Sequence, residues 1–118
     1  MNVLIVDDHA LFRVGLQGLL ERRGIEIIGT AADGEEGIRL TQELHPAVVL
    51  LDLRMPELGG LSVLRRFADP GLAVPVVMLT TSAANTDLSE ALRNRARGYL
   101  LKDMEPYELI VALQDIVA

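Results

Sequence analysis

The hexapeptide Ala47–Asp52, AVVLLD, decides the fold. Five consecutive apolar residues, three of them Val or Ala and two Leu, show no polar alternation. A strand with one wet face alternates, whereas a strand buried on both faces does not. Ala47 to Leu51 is therefore expected to be a central strand, with helices covering both sides, and it ends on a carboxylate.

Working outward, the same pattern recurs. Asn2 to Val6 (NVLIV), Ile25 to Ala31, Val74 to Leu79 (VPVVML) and Tyr99 to Leu101 are further short apolar runs. Pro75 is tolerable at the start of its strand. Between them lie stretches of helical spacing. Ala10 to Arg23 places Leu11, Phe12, Leu16, Leu19 and Leu20 at helical intervals, and Gly24 is a left-handed cap. Glu35 to Leu44 follows the Asp33-Gly34 turn and stops at His45-Pro46. Gly59-Gly60 opens a short helix to about Ala68, and Asp69-Pro70-Gly71 turns the chain. Thr86 to Arg95 carries Leu88, Ala91 and Leu92 on one side. Pro106 stands where a first helical residue is favoured, ahead of Leu109, Ile110, Leu113, Ile116 and Val117.

The order is strand then helix, five times. Parallel strands need crossovers of this length, and right-handed crossovers leave few topologies. The expected class is α/β: a five-stranded, doubly wound parallel sheet, (βα)5, in the flavodoxin-like order 2-1-3-4-5. One domain accounts for residues 1–118, and there is no internal repeat or linker.

Composition narrows the function. The 118 residues are 50% hydrophobic, which excludes a disordered tail. There is no Cys, hence no disulfide scaffold and no thiol chemistry. No apolar run is long enough for a membrane span and no leader opens the chain, so a cytoplasmic protein is expected. The net charge of -6 repels phosphate backbones, so the domain is not expected to bind nucleic acid directly. Two Phe, two Tyr and no Trp leave no base-stacking platform.

In an open parallel sheet, ligands bind beyond the carboxyl ends of the strands, where strand order reverses. Here that point lies between strands one and three. Asp7-Asp8 follows strand one, Asp52 strand three, Thr80-Thr81-Ser82 strand four and Lys102 strand five. Singly, each is an ordinary cap or strand-end residue; the set is specific. Two carboxylates about 4 Å apart repel by roughly 4 kcal/mol at an effective dielectric near 20. Three together must take up protons or a cation. With oxygen ligands only, Mg²⁺ fits. Such a site beside an ammonium suits phosphoryl transfer, and Asp52 can itself be the nucleophile, giving an aspartyl phosphate. Lys102 and Thr80 would contact phosphoryl oxygens. His9 and His45 read as capping or surface residues.

The set Asp7-Asp8, Asp52 in VVLLDLRMP, Thr80 in VVMLT and Lys102 in GYLLKDMEP resembles the receiver (CheY-like) domain of two-component response regulators, from Val3 to Val117. VDDH and GYLLKDMEP look most like the NarL/LuxR, nitrate/nitrite-type subfamily. The resemblance implies that Asp52 accepts a phosphoryl group from a sensor histidine kinase. It implies Mg²⁺ on Asp8, Asp52 and the main-chain carbonyl of Arg54, with Asp7 acting through water. It also implies switch roles for Thr80 and Tyr99, and a C-terminal helix-turn-helix DNA-binding domain in the full-length protein. The chain would then be a signalling domain, not an enzyme, although it assists its own phosphorylation and dephosphorylation. Homodimerisation on phosphorylation would use helix one with helix five, or helix four with helix five. Three positions depart from the common pattern: Thr81 is larger than usual, Lys102 precedes Asp103 rather than Pro, and Arg95 stands where Gly is frequent. Arg54 borders the site and is expected to tune access of attacking water. The rival readings are a degenerate receiver that only binds partners and a metal-dependent aspartyl-phosphate phosphatase, whose Asp-x-Asp after strand one is missing. A flavin or nucleotide module lacks its Gly-rich first loop.

Overall fold

The computed structural model describes residues 1–55, 60–67, 69, 71–82 and 86–118, with the backbone alone at 60 and 61. Five strands alternate with five helices: β1 (Asn2–Val6), α1 (Ala10–Arg22), β2 (Glu26–Ala31), α2 (Gly34–Leu44), β3 (Val48–Asp52), α3 (Gly60–Phe67), β4 (Val76–Thr80), α4 (Thr86–Arg93), β5 (Gly98–Leu101) and α5 (Pro106–Val117). All pairings are parallel and the order is β2-β1-β3-β4-β5. The α/β class and the 2-1-3-4-5 order are therefore as expected. Gly59, Ala68 and Pro70, where a helix opening, its end and a turn were expected, lie outside the described residues.

Strand alternation divides the core into two layers. Leu4, Val6, Val49, Leu51, Val76 and Met78 point one way and pack with Ile38, Val63, Leu64, Phe67, Leu88 and Ala91 of α2, α3 and α4. Val3, Ile5, Val48, Leu50, Val77, Leu79 and Leu100 point the other way and meet Leu16 and Leu20 of α1 and Leu109, Ile110 and Leu113 of α5. Full burial of each such side chain is worth about 1.5–3 kcal/mol, so an aliphatic core needs no Trp.

Boundaries differ from the sequence reading in ways that matter for the site. β3 runs to Asp52 because Asp52 pairs with Leu79 and the next amide, Leu53 N–H, donates to Leu79 O at 2.9 Å. β4 starts after Pro75 and runs to Thr80, which pairs with Leu101. Both polar residues are thus the last residues of strands and not loop residues. Ile25 precedes β2; its side chain is buried in the core and its amide donates to Leu20 O. α4 stops at Arg93, two residues early, because Arg95 takes a left-handed φ of 74°. That conformation costs a side-chain-bearing residue about 1–2 kcal/mol. Gly24 is left-handed at φ 78°, as its cap role requires. Gly37 allows a close approach: a Cβ there would sit 2.7 Å from Val6 Cγ2. α2 therefore presses directly on the end of β1, next to Asp7.

Candidate functional site

The carboxyl ends of β1, β3, β4 and β5 open into a cavity of about 770 Å³ lined by Asp8, His9, Asp52, Leu53, Arg54, Met55, Thr80, Thr81, Asp87 and Lys102. Asp7 lies beneath it, fully buried. Asp52 is 2% exposed and Thr80 3%. Burying two carboxylates this completely is costly unless charge is balanced.

Lys102 supplies part of the balance. Its Nζ lies 2.8 Å from Asp7 Oδ2 and 3.3 Å from Asp52 Oδ1. It also stands 4.8 Å from the centre of the Phe12 ring, a cation–π distance. The backbone helps: His9 N–H donates to Asp7 Oδ1 at 2.8 Å, and Arg54 N–H to Asp52 Oδ1 at 3.2 Å. Lys102 itself is set by its amide, which donates to Thr80 O at 2.8 Å. One lysine does not neutralise three acids. Burial, then the charge of Asp7, raise the Asp52 carboxyl from 3.8 to about 6, against the lowering effect of Lys102 and the Arg54 amide.

The donor set fits a divalent cation. Asp8 Oδ1 and Asp52 Oδ2 are buried, and neither has a hydrogen-bond partner among the described residues. Unpartnered buried carboxylate oxygens are rare and call for an explanation. Asp7, Asp8, His9 and Asp52 bring one ligand atom each to within 4.8 Å of one another. Oxygen donors of this kind suit a hard ion such as Mg²⁺.

The other expected site residues fall as follows. Thr80 lines the cavity, but its Oγ1 is engaged locally: it donates to Ser82 O at 3.3 Å and accepts from Ser82 N–H at 3.4 Å. Thr81 is exposed and lines the cavity beside it. The Arg54 side chain is exposed at the rim. Tyr99 is half-buried and packs against the α2–α4 core layer; it pairs with Met78 of β4 and is not among the cavity-lining residues.

Three neighbours were not anticipated. His9 holds the N-cap position of α1 but makes no side-chain cap bond. Its Nδ1 instead lies 3.2 Å from Asp7 Oδ1, 3.3 Å from Asp8 Oδ1 and 3.5 Å from Asp52 Oδ2. Arg13, one helical turn on, donates from Nη1 to Asp7 O at 2.6 Å. Phe12 carries Lys102 on its ring. The available signal was adjacency: all three lie in the first turn after Asp7-Asp8.

A parallel sheet with three acids and a lysine at its switch point defines a phosphoryl-accepting signalling domain. The family model "Response regulator receiver domain" matches residues 3–114, and the chain belongs to that family. It is 39% identical over 118 residues to the nitrate/nitrite response regulator NarL of Escherichia coli, covering 99% of this chain and 55% of that protein. It is 36% identical over 117 residues to the response regulator UvrY of Escherichia coli, covering 98% of this chain and 54% of that protein. The chain thus spans about half the length of these relatives. Among solved structures, the receiver domain of a putative NarL from Mycobacterium tuberculosis superposes with a TM-score of 0.89 at 32% identity, covering 98% of this chain and 94% of that one. CheY4 of Vibrio cholerae gives 0.88 at 30%, covering 98% and 97%. The chain is a receiver domain of NarL/LuxR type.

Proposed function

We propose that Asp52 takes a phosphoryl group from the phosphohistidine of a sensor histidine kinase, with Mg²⁺, and that the phosphorylated domain controls a C-terminal helix-turn-helix DNA-binding domain and so transcription. One observation carries this reading: Asp52 stands at the strand end with a buried oxygen that accepts no hydrogen bond, between two further carboxylates and an ammonium.

The exchange needs positioning and charge neutralisation more than covalent help. An Asp52 carboxylate oxygen attacks phosphorus, the O–P bond forms, and the N–P bond to the donor histidine breaks. Lys102, held on Asp7 and Phe12, neutralises a phosphoryl oxygen. Thr80 releases Ser82 and donates its hydroxyl to another. Asp8, Asp52 and the main-chain carbonyl of Arg54 would hold Mg²⁺, with Asp7 acting through water. The ion would supply electrostatic stabilisation of the phosphoryl charge. Thr80 and Tyr99 form the switch, since new contacts to the phosphoryl group bias a two-state element. Water attack on the acyl phosphate then resets the domain, with Arg54 tuning its access. Self-association on phosphorylation would use α1 with α5, or α4 with α5. The domain itself makes no direct nucleic-acid contact. Among the described residues no helix is long and apolar enough to cross a membrane.

The test is direct. Incubation with Mg²⁺ and acetyl phosphate should give a phosphoryl adduct by intact-protein mass spectrometry, absent in Asp52→Asn. No adduct at any metal concentration would leave the partner-binding degenerate receiver as the better account. Steady turnover of a generic phosphoester would favour the phosphatase.

A further inference from the structure

We propose that His9 is a nitrogen ligand of the same cation site, so that the pocket binds Zn²⁺ through Asp7, Asp8, Asp52 and His9 as well as Mg²⁺ through oxygen alone. The inference rests on the reading that these carboxylates hold a divalent cation.

The geometry has two sides. Lys102 takes Asp7 Oδ2 and Asp52 Oδ1, and its Nζ also lies 3.3 Å from His9 Nδ1, so an ion bound through His9 must displace the ammonium from that nitrogen. His9 faces the other oxygens: its Nδ1 lies 3.2, 3.3 and 3.5 Å from Asp7 Oδ1, Asp8 Oδ1 and Asp52 Oδ2. Two of those three, Asp8 Oδ1 and Asp52 Oδ2, are the buried oxygens without a hydrogen-bond partner. With Zn–ligand bonds of roughly 2.0–2.1 Å, neighbouring ligand atoms of a tetrahedron are about 3.3–3.4 Å apart. The three separations from His9 Nδ1 match that edge length, and the four ligand atoms lie within 4.8 Å of one another. Nor does the ring serve as a cap, because it makes no bond to the α1 backbone.

Ligand chemistry sets the selectivity. Carboxylate and carbonyl oxygens suit Mg²⁺, whereas imidazole suits Zn²⁺ and is a poor ligand for Mg²⁺. Removing His9 should therefore weaken Zn²⁺ and leave Mg²⁺ nearly unchanged. An ion bridging His9 to Asp52 Oδ2 also covers the acceptor oxygen, so Zn²⁺ should oppose phosphorylation.

The experiment is calorimetric titration of metal-free protein with Zn²⁺ and, separately, Mg²⁺, for wild type, His9→Gln, His9→Asn and His45→Gln. The His9 ring is 63% exposed, so both substitutions should fold, which a urea midpoint verifies. Loss of a direct ligand should weaken Zn²⁺ about tenfold or more in both His9 variants and Mg²⁺ less than about twofold. His45→Gln should match wild type. The Nδ1 resonance of His9, assigned by its loss in His9→Gln, should show the large shift of direct metal ligation on adding Zn²⁺ and only a smaller through-space shift on adding Mg²⁺. Unchanged Zn²⁺ affinity in the His9 variants, no Zn²⁺ binding by wild type, or equal loss for both ions would each overturn the proposal. A wild type that binds Zn²⁺ through His9 but no Mg²⁺ would support it while refuting the Mg²⁺ reading.

Discussion

Strand β3 is buried along its whole length, but its body and its tip use that burial differently. Leu50 and Leu51 are 0% exposed and Asp52 is 2% exposed. In the body, burial is itself the stabilising force. At the tip, the same burial raises the carboxyl to about 6 and works against the charged form. One residue separates a position that holds the fold together from one that strains it. The tip is held because the body, clamped between two helical layers, fixes its position.

The largest effect expected from breaking this contrast is in the body. Leu50→Ala should cost about 2–5 kcal/mol, read from urea midpoints, through lost burial and a cavity between α1 and α5. A cost under about 1 kcal/mol would mean that the body is not the support assumed here.

At the tip the sign should reverse. The folded chain keeps the Asp52 proton up to about 6, whereas the unfolded chain releases it near 3.8. Between those values the folded state binds more protons, so stability falls as pH rises and levels off above about 6. In metal-free buffer at pH 7.5, Asp52→Asn should therefore stabilise the fold, by about 1–3 kcal/mol, and should flatten the decline between pH 4 and 6. A destabilised Asp52→Asn would show that Lys102 outweighs burial.

Gly37→Ala tests whether the neighbouring tip, at β1, is equally constrained. The added methyl meets Val6 at 2.7 Å. Overpacking of this kind costs about 1–3 kcal/mol, and displacing the end of β1 should also weaken Mg²⁺ binding at Asp7 and Asp8. Loss of stability without loss of Mg²⁺ affinity would separate the two tips.

The smallest effect should come from Asp8→Asn. Asp8 is the partly exposed acid of the three, its side chain 26% exposed. Relieving its repulsion should change metal-free stability by less than about 1 kcal/mol. A gain as large as that of Asp52→Asn would mean that the number of charges, and not their burial, sets the cost at the tip.

These contrasts also explain what could be read from the chain alone. AVVLL declared a two-sided strand, and the carboxyl ends of the strands located Asp8, Asp52, Thr80 and Lys102 around one cavity with Asp7 buried beneath it, because topology alone converges them. Strand ends were misjudged by one residue at Asp52 and Thr80, since pairing with Leu79 and Leu101 extends the ladder onto polar residues. His9 was missed for a related reason. Local pattern reads it as a helix cap, but its ring sits over Asp7 and Asp8, with Asp52 and Lys102 brought to it from 43 and 93 residues further on. The left-handed Arg95 shows the converse: a Gly-like conformation imposed on Arg shortens α4 by a turn fragment.

Gly98 has a mechanical consequence. Its missing side chain lets Ile116 of α5 seat against the start of β5, where a Cβ would lie 3.1 Å from it. The other end of α5 begins four residues after Lys102, and twelve residues of helix span about 18 Å. β5 and α5 are thus pinned together at both ends, like the two arms of a rigid frame. A displacement at the lysine corner of such a frame would be passed along α5 towards Ile116.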